Sequence, residues 1–234
     1  MRNLRKLLAG DESIPLDVAA LELASVEYPD LDIRPFMELL DSYARELGER
    51  VDHDAPGEEF LEAARLYFFE ELGFRGNQQD YYHPRNSCLN DVLTERTGLP
   101  ITLSVVYMEV ARRIERKVLG IGLPGHFLVQ FQDQDASVYL DPFHAGRLLN
   151  VEQCRELALE AARVDIFQAP QYLAPVSSRH IVVRMLNNLR NAYSRTQEAR
   201  KSIAVLDLLL EAEPAASQLR QERERWRHYL RTLN

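Results

Sequence analysis

The chain has 234 residues, 46% of them hydrophobic, and a formal net charge of −8. That much apolar material supports a sizeable core and excludes a chain that is disordered throughout. The acidic balance argues against a dedicated nucleic-acid binder, and no run of about 18 apolar residues offers a membrane span.

The opening MRNLRKLLAGDES is basic but carries only a short apolar stretch, so it reads as a poor signal peptide. Cys88 and Cys154 show no CxxC spacing and imply no disulfide framework. A cytoplasmic protein is expected. Charge is unevenly spread: residues 177–234 hold 11 basic and 6 acidic side chains, against 17 and 30 in residues 1–176. Two parts with different partners, or parts that attract each other, fit this asymmetry.

Residues 14–50 predict two amphipathic helices broken near Tyr28-Pro29-Asp30. In the second, Ile33, Phe36, Leu39, Leu40 and Tyr43 fall at helical spacing. DHDAPGEE (52–59) is a turn, and Phe60, Ala63, Ala64, Tyr67 and Phe68 mark a helix ending before Gly73. RGNQQDYYHPRNS (75–87) is polar and reads as a loop. A loop this long inside a domain is often functional. Asn86 and Ser87 are expected either to cap a helix around 88–97 or to line a cleft. From Pro100, suited to the first position of a helix, residues 101–111 are apolar on nearly every side, the mark of a buried helix. Thr102, Ser104 and Glu109 interrupt it.

Val118–Leu123 predicts a short strand, and Pro124-Gly125 a turn. Two further strands, 126–132 and 135–141, form a hairpin around Asp133-Gln134. One face collects Phe127, Val129, Phe131, Ala136, Val138 and Leu140, and a slip by one residue would bury polar side chains instead. In this register His126 lies opposite Asp141, close enough for an imidazole–carboxylate hydrogen bond. Residues 151–163 predict a helix, 172–178 a linker, and 179–194, 197–212 and 217–232 three more helices with Pro214 as a break. Helix–turn–helix followed by Pro has the shape of a tetratricopeptide unit. So few units bury their faces only on a neighbour, so this tail is expected to dock on the main domain.

A histidine oriented by a carboxylate is the base half of a catalytic triad. The nucleophile would be a Ser or Cys near a helix N-terminus, and Ser104 occupies such a place. Neither cysteine is well placed, although Cys88 remains an alternative if its loop reaches the imidazole. His83, His126, His144 and Asp141 invite a metal reading, but no metal-ligand spacing such as HExxH is present. No metal and no cofactor are expected, and no phosphate-binding glycine loop occurs.

Three stretches resemble a known family: YYHPRNSCLNDVLTERTGLPITLSVVYMEVARR (81–113), GIGLPGHFLVQF (120–131) and YLDPFHAG (139–146). They are similar to bacterial SirB-type proteins, which join a transglutaminase-like, papain-type core to tetratricopeptide-like helices; RMLNNLRNAYSR (184–195) resembles the start of that tail. The resemblance implies an α+β fold with a helical N-terminal half and a small antiparallel sheet (residues 1–176, strands from about 118 to 141), followed by a helical tail (177–234). His126 matches the family's PGHF histidine and Asp141 its DPF aspartate. Ser104 falls where transglutaminases place their cysteine, and a neutral hydroxyl is the weaker nucleophile.

Two readings follow. The first is an interaction or regulatory module with altered or lost acyl transfer. It would bind another protein through the tail and through cleft loops around 81–90 and 144–150, with Tyr82, Asn86, Ser87, Pro124 and Gly125 as binding candidates. The second is a serine-dependent amide or ester hydrolase or acyl transferase using Ser104, His126 and Asp141, with Asn86 as a candidate oxyanion stabiliser. Whether the chain is an enzyme stays open. A membrane partner is not expected, and nucleic acid, which rests on the basic tail alone, is disfavoured.

Overall fold

In the computed structural model, which describes residues 1–133 and 137–232, the N-terminal half is helical. Helix α1 (Arg2–Leu8) buries Leu4, Leu7 and Leu8, so the short apolar stretch at the start is core. Helices α2 (Leu16–Leu23) and α3 (Arg34–Gly48) flank the break at Tyr28-Pro29-Asp30. Helix α4 (Gly57–Arg65) continues into a wide π turn, Leu66–Glu71, before Gly73. The polar stretch 75–87 contains strand β1 (Arg75–Gly76) and a 3-10 turn at Pro84–Ser87. After α5 (Leu89–Glu95), strand β2 (Thr97–Gly98) pairs in parallel with β1.

Helix α6 (Pro100–Arg113) is enclosed as its composition predicts: of residues 100–111, all but Met108 are buried. It contacts α2, α3 and α5 as well as the sheet that follows. That sheet is an antiparallel meander of β3 (Val118–Ile121), β4 (Leu128–Gln132), β5 (Ser137–Asp141) and β6 (Arg147–Leu149). Phe127, Val129, Phe131 and Leu140 join the main core with α6. The opposite face is covered too: Leu128, Tyr139 and Leu149 pack with Cys154 and Ala158 of α7 (Val151–Ala162).

The hairpin register differs from the expected one by two residues. Val129 pairs with Leu140 and Gln130 with Tyr139, and the last pair is Gln132–Ser137. A two-residue shift leaves every side chain on its expected face, because side chains alternate with a period of two. Hydrophobic patterning therefore cannot distinguish the two registers; the length of the connection does. The connection runs from Asp133 to residue 136, and Gln134 and Ala136 lie outside the described residues.

Helices α8 (Ser178–Arg195), α9 (Ala199–Ala212) and α10 (Ser217–Thr232) follow the predicted breaks closely. Ile181, Met185, Leu189, Val205 and Leu209 belong to the same hydrophobic cluster as α1 and α6. Arg179 on α8 donates to the carbonyls of Leu8 (2.9 Å) and Ala212 (2.6 Å). Lys201 pairs with Glu27 at 2.9 Å, one basic side chain of the tail meeting the acidic main part.

Glu109, one of the polar interruptions of α6, is buried beside the buried Asp17. Arg113 bridges the two carboxylates at 2.6 Å (Asp17) and 3.2 Å (Glu109), while Arg112 reaches Glu109 at 2.8 Å. Burial, followed by the neighbouring Asp17 charge, pushes Glu109 up to about 7 despite Arg112. A carboxyl whose value rises on folding contributes stability that is complete below its ordinary value near 4.5 and is lost as pH rises through about 7. Glu109→Gln should therefore gain thermal stability relative to wild type between pH 5 and pH 8, by roughly 1–3 kcal/mol. Melting curves of both proteins at several pH values check this; a gap that does not widen with pH contradicts it.

Candidate active site

Leu123-Pro124-Gly125-His126 forms a tight turn, closed by a hydrogen bond from His126 N to Leu123 O at 3.1 Å. Proline suits the second position of such a turn, and the third takes a positive φ. Gly125 supplies it, at +73°. A side chain there would also meet Ala161 of α7, with its Cβ only 2.6 Å from Ala161 Cβ. Arg184 of α8 clamps the turn by donating to the carbonyls of Leu123 (3.0 Å) and His126. Its guanidinium lies 5.4 Å from the Phe127 ring centroid. A residue of the helical tail thus helps to set where His126 stands.

His126 Nε2 meets Asp141 Oδ2 at 2.8 Å. The expected pair forms, but not from directly opposite positions: β4 begins two residues after His126, so the side chain reaches back from the turn. Asp141 ends β5, is 1% exposed and accepts from Phe143 N through Oδ1 at 3.0 Å. His144, in the 3-10 turn Pro142–His144, brings Nδ1 to the same Oδ2 at 2.7 Å. Burial alone would raise the Asp141 carboxyl, but the two imidazoles outweigh it and hold it below the ordinary carboxylate value.

An aromatic chain links this pair to the 75–87 stretch. Phe143 presents its ring edge-on to His126 (6.1 Å) and His144 (5.1 Å), and Tyr81 packs edge-on against Phe143 at 5.9 Å. Tyr82 packs on Tyr81, remains exposed, and is capped by the Arg195 guanidinium at 3.8 Å. Gly76 permits this packing: a Cβ there would fall 2.5 Å from the Phe143 ring.

Ser104 is 0% exposed and its Oγ has no hydrogen-bond partner. The structure therefore joins His126 to Asp141 but does not hydrogen-bond Ser104 to either. Tyr107 OH, one turn further along α6, is also buried without a partner. Cys88 is buried, and burial pushes its thiol well up; the charges that act on it are Asp91, Glu27, Lys201 and Arg85, none of them at the His126 pair. Cys154 lies nearer, within the influence of Asp141. Burial, then that carboxylate, pushes its thiol up to about 11.

Asn86 does not cap the helix; it lines a pocket with Asn77, Asp80 and His83, with its side chain committed to its own loop. Its Nδ2 donates to the carbonyls of Asp80 (2.7 Å) and Tyr81 (3.1 Å), and its Oδ1 accepts from Asn77 at 3.0 Å. Its main-chain carbonyl accepts from Thr102 Oγ1 at 2.7 Å, tying the loop to the start of α6. Both amide hydrogens are used, so none is left for an oxyanion. The cap position of α5 is Cys88, without a side-chain bond, because Asn86 and Ser87 are turned inward and buried. His83 sits apart from the pair, lining a pocket with Asp80, Arg85, Asp91 and Glu95. Sequence reasoning passed over Arg184 and weighed His144 only in a metal set and a cleft loop, missing its direct contact with Asp141. The D-P-F-H spacing carried a signal for the second, since residues three apart in a 3-10 turn share a side.

Two variants test this geometry. Asn86→Ala leaves buried main-chain groups unpaired and should cost about 2–4 kcal/mol in denaturant unfolding. Gly125→Ala combines a disfavoured φ with overlap on Ala161 and should cost about 1–3 kcal/mol by the same measurement.

Residues 35–187 match the Transglutaminase-like superfamily, a match that runs into α8. The chain is 39% identical over 207 residues to a UPF0162 protein of Xylella fastidiosa (strain Temecula1), covering 87% of this chain and 74% of that protein. It is 30% identical over 199 residues to a UPF0162 protein of Pseudomonas aeruginosa, covering 85% and 72%. Human F-box only protein 21 is 28% identical over 137 residues, which is 55% of this chain and 21% of that protein. No solved structure matches. With a buried helix, an antiparallel sheet and a histidine–aspartate pair behind these matches, the chain belongs to the transglutaminase-like superfamily and is related within it to the bacterial UPF0162 proteins.

Proposed function

We propose that this chain is a SirB-type transglutaminase-like domain in which ordinary acyl transfer is lost and which serves as a protein-interaction and regulatory module of the cytoplasm. The observation that carries the reading is Ser104: where a transglutaminase would place its cysteine, the hydroxyl is fully buried and bonded to nothing. A neutral hydroxyl needs a base within hydrogen-bond reach to become a nucleophile, and Ser104 makes no such bond.

The loops named as the binding edge carry exposed apolar side chains. Tyr82 is 53% exposed, and Leu148 is exposed on the other side. Charged residues are depleted and aromatic residues enriched at the centre of protein interfaces, so these positions suit a protein partner. Consecutive helices α8, α9 and α10 pack pairwise, which supports reading them as a tetratricopeptide-like tail that extends the surface available to it. A match of 55% of this chain to about a fifth of F-box only protein 21 fits a module that is joined to other segments.

One observation favours the serine-hydrolase reading. His126 uses Nε2 on Asp141, and its Nδ1 makes no hydrogen bond among the described residues. The base half of a triad is thus assembled with one ring nitrogen to spare. A rotation of α6 or of the PGH turn would then be needed to bring Ser104 to it.

Labelling of the purified protein with a fluorophosphonate serine probe separates the two. No stoichiometric labelling of the folded protein is expected. Labelling that disappears in both Ser104→Ala and His126→Ala would replace the module reading with an activated serine enzyme.

A further inference from the structure

Two imidazole nitrogens converge on one carboxylate oxygen. His126 Nε2 is 2.8 Å and His144 Nδ1 2.7 Å from Asp141 Oδ2, and the three donor atoms all lie within 4.8 Å of one another. We propose that His126, Asp141 and His144 form a binding site for a divalent first-row transition-metal cation of the zinc type.

The spacing supports this. Imidazole nitrogen and carboxylate oxygen bind zinc at about 2.0–2.1 Å. Neighbouring ligands around one ion then lie about 2.9 Å apart in octahedral and about 3.3 Å apart in tetrahedral geometry. The observed oxygen–nitrogen separations of 2.7 and 2.8 Å need to open by about 0.1–0.2 Å to reach the octahedral edge and by about 0.5–0.6 Å to reach the tetrahedral one. The two nitrogens must also come to within about 4.1 Å of each other to share one ion, and the rings already lie nearly parallel, 25° apart with centroids 5.8 Å apart. Without an ion, each ring must carry its proton on the nitrogen that faces Oδ2; a cation takes the place of both protons.

The surroundings hold the ligands. Asp141 Oδ1 is fixed by Phe143 N, an outer contact of the sort that orients a metal-bound carboxylate. Arg184 holds the backbone of His126. His144, 42% exposed on its side chain, opens the site to solvent and gives an ion its way in. Two imidazoles and one carboxylate select zinc, cobalt, nickel or ferrous iron over magnesium and calcium, which prefer all-oxygen sites. Three protein ligands leave at least one position for water or a small anionic ligand. Ser104 has no part in this site, so the inference stands or falls apart from the serine chemistry tested above.

The test is titration calorimetry of the untagged, chelator-treated full chain with Zn²⁺, together with visible absorption of the Co²⁺-loaded protein. One ion per chain is expected, with a dissociation constant in the micromolar range or tighter, and at least about tenfold weaker binding in both Asp141→Asn and His144→Ala. Because His144 is half-exposed, His144→Ala will fold even if Asp141→Asn does not, and circular dichroism verifies it. His53, an exposed histidine beside Asp54 and Glu115, supplies the control: His53→Ala should leave the affinity unchanged. Absence of a stoichiometric site, affinity indifferent to His144→Ala, or loss of binding in His53→Ala would overturn the proposal.

Discussion

The enclosure of α6 is the constraint on which the rest of the structure depends. A helix buried on nearly every side must have its ends and polar side chains satisfied by other elements. Its first turn is held by Thr102, whose hydroxyl accepts from Leu99 N and donates to the Asn86 carbonyl. Its last turn leaves the core through Arg112 and Arg113, which meet Asp17 and Glu109. The stretch 75–87, polar and irregular by sequence, supplies the partner of the first turn through the Asn86 carbonyl. Two hydroxyls on the same helix, on Ser104 and Tyr107, are left without any.

Asp141 plays the corresponding part for the site. Buried carboxylates are costly unless hydrogen-bonded, and this one accepts from a backbone amide and two imidazoles. The histidines are in turn placed by their own backbones: His126 by a proline–glycine turn that Arg184 grips, His144 by a short 3-10 turn. The arrangement is rigid on the carboxylate side and open to solvent at His144. The nucleophile side is different. Ser104 is buried within the core helix, and its hydroxyl has no hydrogen-bond partner. Removing Asp141 would leave two imidazoles and the Phe143 amide without their shared acceptor, whereas removing His126 would leave Asp141 still held by His144 and Phe143 N.

The tail is part of the same construction. Helix α8 contributes core residues, and Arg184 and Arg195 reach respectively to the PGH turn and to Tyr82. A molecule docking on the exposed rim near Tyr82 would thus meet the 75–87 stretch and the tail together. From there the aromatic contacts through Tyr81 and Phe143 lead to the two histidines.

What the sequence by itself determined was the periodic part: the all-round apolar helix, the alternating strands, the helical breaks in the tail, and the partnership of His126 with Asp141. These are local or face-level properties, written in spacing. Hairpin register was beyond it, since a two-residue shift preserves both faces, and the pair survived because the His126 side chain reaches Asp141 from the turn. Tertiary structure alone decided which polar groups were spent: Asn86 on its own loop, Cys88 on the core, Arg184 on a turn 58 residues away in sequence. It also brought His144 to the oxygen already held by His126. Hydrogen-bond capacity is allotted by neighbours in space, and spacing along the chain records only the candidates for it.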